Sequence, residues 1–192
     1  VIGQLGASNE AQKKAPVTLQ IRLGRTMQIF NTLDPYPFVE RDLDPAAEDY
    51  LVAWAKELPH RRPLRIEVLV PSEEAGKLEA LELPQALRAY FTRRAEAVGQ
   101  ELEELFRTGR IALLIGVPIL VICFTLAKIL NSAYQNEGFA AVAAEGLVIA
   151  GWVANWRPIE IFLYDWWPLM RRRRRFERLA DAQVEVVGPP AP

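Results

Sequence analysis

The sequence predicts a small α+β cytoplasmic domain joined to a two-helix transmembrane hairpin. Three observations predict it: two alternating apolar segments flanking an amphipathic one, an almost wholly apolar run at residues 111 to 130, and a second apolar run that ends in aromatics and consecutive arginines. The expected division is a polar tail at 1 to 16, the α+β domain at 17 to 108 and the hairpin at 109 to 168, with spans at about 111 to 130 and 140 to 164. Residues 169 to 192 form a basic juxtamembrane segment and a C-terminal tail.

The first residues, "VIGQLGASNEAQKKAP", lack the basic-then-apolar order of a secretory signal and read as a polar tail. "VTLQIRL", residues 17 to 23, alternates, with Val17, Leu19, Ile21 and Leu23 on one face, as a half-buried strand does. "LRIEVLV", residues 64 to 70, repeats the pattern with Leu64, Ile66, Val68 and Val70 inward. Between them "DPAAEDYLVAWAKELP" predicts a helix: Asp44 is a good N-cap, Pro45 suits the first helical position, and Leu51, Trp54, Ala55 and Leu58 share a face. Strand, helix, strand suggests a parallel crossover unit, with antiparallel pairing as the alternative.

After a polar loop, "PSEEAGKLEAL", Pro84 opens a second helix with Leu87, Phe91, Ala95, Val98, Leu102 and Leu105 at helical spacing. Its other face, including Arg93, Arg94, Glu96 and Glu101, reads as solvated surface, and Thr108-Gly109-Arg110 as a bend at the membrane surface. Beyond the spans, "RRRRRFERLADAQVEVV" predicts a short helix and a strand at residues 184 to 187. If that strand returns to the sheet, both ends of the chain build one cytoplasmic domain.

Residues 111 to 130 carry one charge, Lys128, and at 1.5 Å per residue reach about 30 Å, the thickness of a hydrocarbon core. Pro118 is expected to kink this span, and Lys128 to snorkel toward the far surface. The second run carries Glu145, Asn155, Arg157, Glu160 and Asp165, each costly against lipid. Arg157 and Glu160 are three apart and can neutralise each other, while Pro158 marks a bend. Trp152, Trp156 and Glu160 follow at intervals of four on one face. Tyr164, Trp166 and Trp167 form an interfacial aromatic belt, and Arg171, Arg172, Arg173, Arg174 and Arg175 follow it. Arg107, Arg110 and the arginine block flank one pair of span ends, so the positive-inside rule places both termini in the cytoplasm, beneath an inner-type membrane. Gly138, Gly146 and Gly151 are available for close helix approach, and Gly146, Ala150 and Ala154 match a small-xxx-small pattern.

Composition narrows the chemistry. Net charge is −1 and there is one cysteine, Cys123, and one histidine, His60, so neither an intrachain disulfide nor a His/Cys zinc cluster can be built. Phosphate-loop, dinucleotide-binding, nucleophile-elbow and zinc-protease patterns do not occur, and no catalytic, metal or cofactor site is expected. The loop "FNTLDPYPFVERDLDP", residues 30 to 45, concentrates Asp34, Glu40, Asp42 and Asp44 but lacks EF-hand spacing. With Asp34, Tyr36 and Phe38 it reads instead as a docking surface for another protein. The arginine block beside Trp166 and Trp167 suits anionic lipid headgroups, each cation contributing about 1 kcal/mol near the surface. It carries no nucleic-acid reader motif, and no nucleic acid partner is expected.

Together these readings predict a non-catalytic accessory, anchoring or assembly subunit of a membrane complex. It would contact other integral membrane subunits or a second copy of itself through Glu145, Asn155, Arg157 and Glu160. The alternative is an oligomeric ion or proton channel or transporter component in which Glu145, Arg157 and Glu160 line the path.

Overall fold

The computed structural model describes residues 16 to 58, 62 to 134 and 138 to 188. The tail expected at 1 to 16 (except Pro16), His60, part of the link between the two apolar runs, and the last four residues lie outside them. Three strands, β1 (Val17–Arg22), β2 (Leu64–Leu69) and β3 (Gln183–Val187), form a sheet. The helices are α1 (Pro45–Glu57), a single turn α2 (Ser72–Ala75), the long α3 (Leu78–Ala133), α4 (Gly138–Ala154), a short α5 (Trp156–Glu160) and α6 (Trp166–Ala180). The chain divides into two compact units, Val1–Ala97 with Arg172–Pro192, and Val98–Arg171.

In the first unit the strand order is β1-β2-β3 and both pairings are parallel. Register aligns apolar rows: Leu19 lies opposite Ile66 and Ile66 opposite Val184, while Ile21, Val68 and Val186 make the next row. The other face is polar, where Gln20 donates to Glu67 at 2.9 Å and Arg65 pairs with Glu185 at 2.9 Å. A one-residue slip would turn Glu67 and Glu185 into the core, so this register is strongly specified. Parallel pairing of β1 and β2 follows from α1, which returns the chain to the starting end of the sheet. The side chain of Asp44 accepts from the amide of Ala46 at 2.9 Å and caps α1, and Leu51 and Ala55 are buried.

The third strand is supplied by the far end of the chain. β3 lies parallel to β2, so everything from α2 to α6 is an excursion between neighbouring strands. The two stems of that excursion are clamped together: Phe91 of α3 stacks on Phe176 of α6 at 6.2 Å between ring centroids. Arg93 and Arg94, read from the sequence as solvated surface, are structural. Arg94 grips Glu48 of α1 at 2.8 and 3.0 Å and sits 5.6 Å from the Phe176 ring. Tyr90 donates its hydroxyl to Glu48 at 2.6 Å, and burial, reinforced by that carboxylate, pushes its pKa well above the usual phenol value.

α3 departs from expectation at two places. It begins at Leu78, not at Pro84, which lies inside it. Ala80, Leu83, Leu87 and Phe91 all become buried on one face, and that burial offsets the proline's missing hydrogen bond. The helix also runs unbroken through Thr108, Gly109 and Arg110. Gly109 is there for close packing, because a Cβ on it would stand 2.8 Å from Ile161 Cγ2.

By length and composition, α3 is the one described helix able to cross a membrane by itself. Only 11% of its apolar window is buried, so it is not the core helix of a globular domain. α4 with α5 and α6 passes the same test only as a pair bent by 41°. The bend falls at Asn155, three residues before Pro158. Pro158 has no N–H to offer the Ala154 carbonyl and crowds it, so α4 ends there. α5 restarts with Ile159 donating to Asn155. Trp152 and Trp156 therefore flank a break and do not continue one helical face. A π-turn at Ile161–Asp165 leads into α6.

Candidate functional site

Within the second unit, α3 and the α4-to-π-turn segment touch along a seam of small residues. Gly109 meets Ile161 and Phe162, Gly116 meets Asn155 and the Ala154 carbonyl, and Gly151 meets Leu120 and Cys123. The contacts run in opposite senses along the two segments. On α3, Gly109, Gly116, Cys123 and Leu130 recur every seven residues, with Leu120 and Ala127 between them. A seven-residue recurrence keeps these positions on one face of α3. On α4 the buried small residues are Ala140, Ala144 and Gly151. The small-xxx-small run expected at Gly146, Ala150 and Ala154 does not make the seam: Gly146 and Ala150 are exposed, and nothing lies within 4 Å of a Cβ placed on Gly146 or Gly138.

Asn155 is the polar centre of this seam. It is only 5% exposed, and its Nδ2 donates to the Gly116 carbonyl at 2.9 Å and to the Gly151 carbonyl at 3.0 Å. One amide thus ties a glycine on each helix, and the absence of a Cβ on Gly116 leaves room for it. A side-chain amide bonded this way removes the cost of a bare polar group in an apolar setting. Gly116 was not singled out from the sequence, although its heptad relation to Gly109 and Cys123 carries the signal.

Arg157 bonds Glu160 at 3.2 Å and Asp165 at 2.9 Å. Asp165 is a partner that the three-residue spacing rule does not reach. The three side chains are partly exposed and form a charged cluster bridging α5 and the π-turn. Glu145 stands apart from them, on the wall of a cavity with Lys128 and Asn131.

The residues expected to bind headgroups lie on α6. Trp166 packs on Trp167 with ring centroids 5.2 Å apart and donates to the Phe162 carbonyl at 3.0 Å. Arg171 sits 5.9 Å from the Trp167 ring, Arg172 stands over Phe176, and Arg173 bonds Glu177 at 2.9 Å. Arg171 and Arg174 are exposed, while Arg172, Arg173 and Arg175 are half-buried. Five consecutive arginines go right round a helix, so their exposure alternates, and the same helix buries Phe176 and Leu179.

In the loop at residues 30 to 45, Asp34 is an internal brace. Its Oδ1 accepts from the amide of Tyr36 at 3.0 Å and its Oδ2 from that of Asp42 at 2.6 Å. Phe38 rests on Phe30 at 4.7 Å, and Arg93 reaches the Glu40 carbonyl at 2.8 Å, so the loop is pinned on both sides. Tyr36 alone of the three expected docking residues projects, at 60% exposure. Among the described residues no group of three or more histidines, cysteines or carboxylates gathers to hold a metal.

The bonds from the Asp42 and Tyr36 amides hold the Asp34 carboxyl below the usual carboxylate range of about 4. A depressed folded pKa means the brace is fully present above the unfolded value and is lost as pH falls through the folded one. The amide resonances of Tyr36 and Asp42 should therefore titrate together, with one midpoint below the ordinary carboxylate value. In Asp34→Asn that shared titration should vanish; its survival would assign it to another carboxylate.

Comparison of the chain with family models, with curated proteins and with solved structures finds no match.

Proposed function

We propose that this chain is a non-catalytic membrane accessory or assembly subunit. In this reading α3 and the bent α4-to-α6 segment cross the bilayer as a two-helix hairpin, and the sheet unit lies on the cytoplasmic side. The observation that carries it is the pairing of β3 with β2. A chain that leaves a sheet through one crossing and returns to the neighbouring strand has crossed an even number of times. If α3 spans, the bent segment spans back. The exposed apolar surface of α3 from Ile111 to Ile129 supports immersion, since a soluble protein does not leave so continuous a patch in water. Arg107, Arg110 and the arginines of α6 flank the same ends, which supports the cytoplasmic orientation.

The mechanism is positional. Asn155 and the glycine seam fix the two helices against each other, leaving exposed apolar faces and the Arg157, Glu160 and Asp165 cluster for neighbouring membrane helices. The braced loop offers Tyr36 to a water-soluble part of the same complex. A conducting role for Glu145, Arg157 and Glu160 has less support. Arg157 is already neutralised by two carboxylates, and Glu145 lies elsewhere on α4.

Single cysteines at the exposed positions Ser72, Asp181 and Tyr134, in a Cys123→Ala background, test this in sealed inverted vesicles. The first two should react with an impermeant maleimide and the third only after permeabilisation. Reaction of positions 72 and 181 from opposite sides, or release of the chain by alkaline carbonate, would sink the reading. Purification in mild detergent should then recover a stoichiometric foreign membrane subunit. A pure homo-oligomer would instead favour the conducting alternative.

A further inference from the structure

The seam opens, toward the end of α3 and the start of α4, into a cavity of about 590 Å³. Its polar wall is Lys128 and Asn131 from α3 and Glu145 from α4, and its apolar wall includes Phe124, Val148 and Ile149. Lys128 and Glu145 line this one space, and among the described residues no ion pair joins them. Both lie within about two turns of their helix ends, which in a spanning pair is close to the boundary between hydrocarbon and lipid headgroups.

A cation, an amide and a carboxylate around one cavity, with apolar walls beside them, are complementary to a molecule carrying an anion, a hydrogen-bonding cation and a hydrocarbon chain. Resting on the membrane reading above, we infer that this cavity binds a zwitterionic aminophospholipid of the phosphatidylethanolamine type. Lys128 and Asn131 donate to its phosphate, Glu145 accepts from its primary ammonium, and an acyl chain lies along Phe124, Val148 and Ile149. Phosphatidylcholine fits the same charges, but its quaternary nitrogen has no N–H to give Glu145. Phosphatidylglycerol has no cation and offers Glu145 only neutral hydroxyls. The occupant also accounts for Glu145, a carboxylate that is expensive in a span unless it meets a partner.

The test is native mass spectrometry of the full chain in mild detergent, titrated with each of the three lipids. Phosphatidylethanolamine should bind about tenfold more tightly than the other two, the effect of one charge-assisted hydrogen bond. Glu145→Gln should bring it to the level of phosphatidylcholine, and Lys128→Gln should weaken all three. Glu145→Lys should turn the preference toward phosphatidylglycerol. Ile149→Trp, which fills the cavity without altering charge, should reduce phosphatidylethanolamine binding while leaving helix content unchanged. Equal binding of the three lipids by the wild type, or a preference that survives Glu145→Gln and Ile149→Trp, overturns the inference. A chain that leaves membranes in alkaline carbonate defeats the membrane reading as well; one that stays embedded without lipid preference defeats this inference alone.

Discussion

Phe91→Ala should destabilise the sheet unit by about 3–5 kcal/mol, the usual cost of emptying a fully enclosed aromatic site. Phe91 is 0% exposed, stacks on Phe176, and meets Tyr90 edge-on at 5.3 Å. Its neighbours cannot close the gap easily, because Tyr90 is held by Glu48, Glu48 by Arg94, and Arg94 lies over Phe176. A loss of this size is a large share of the 5–15 kcal/mol that stabilises a typical domain. Denaturant unfolding in detergent, followed by hydrogen exchange at the β2 amides, measures it. Leu81→Ala is the control: Leu81 is on the same helix but 70% exposed, and its truncation should change stability by less than about 0.5 kcal/mol. A cost at Phe91 no larger than at Leu81 would mean that α3 and α6 do not share this core. Because Phe91 lies on the outgoing stem of the excursion and Phe176 on the returning one, the same substitution should loosen the return of β3. Exchange at Val184 and Val186 should then rise together with exchange in β2.

How much of this was legible in the sequence depends on how local each determinant is. β1, α1 and β2 were readable because alternation and an Asp-Pro cap are properties of a few adjacent residues. The strand at β3 was readable as a strand, but its partner was not. The alternation of Val184 and Val186 marks a strand but carries no information on which neighbour it joins, a contact made across more than a hundred residues of chain. Pro84 and Pro158 illustrate opposite outcomes of one rule. Burial of Ala80 and Leu83 keeps α3 helical across the first, whereas the second ends α4 upstream, where Asn155 turns its side chain to the Gly116 and Gly151 carbonyls. In the candidate site, the Arg157 and Glu160 spacing was visible, while Asp165 meets Arg157 from eight residues away, across the π-turn, a separation that no helical spacing rule covers. For the loop at residues 30 to 45, composition does not tell which side chains project and which brace the loop from within. The bonds that Asp34 accepts from the amides of Tyr36 and Asp42 depend on how the loop folds back, which no composition reveals.

Gly116→Ala and Gly146→Ala should change stability in opposite directions, though both exchange glycine for the best helix former within an apolar helix. On propensity alone each should stabilise by up to about 1 kcal/mol. Gly146 faces open space, so Gly146→Ala should show that gain. At Gly116 the new Cβ would stand 2.7 Å from Asn155 Oδ1 and 3.1 Å from the Ala154 carbonyl. Asn155 must then turn away and give up its two bonds, or α3 and α4 must part. Overpacking costs about 1–3 kcal/mol, and a buried amide stripped of its partners adds about 1–3 kcal/mol. A net loss of about 1–5 kcal/mol is expected after the propensity gain is subtracted. Asn155→Ala separates these causes. Alone it should cost about 1 kcal/mol, the usual scale of a hydrogen bond between membrane helices. In its background Gly116→Ala should lose most of its penalty, because the nearest clashing atom is gone, giving a coupling of about 1–2 kcal/mol between the two sites. Reversible unfolding in mixed micelles reads all four variants. Additive effects, or a stabilising Gly116→Ala, would show that the amide does not join the helices. The Arg157, Glu160 and Asp165 cluster just beyond Asn155 would then lack the fixed footing that its proposed use as a docking surface for a neighbouring helix requires.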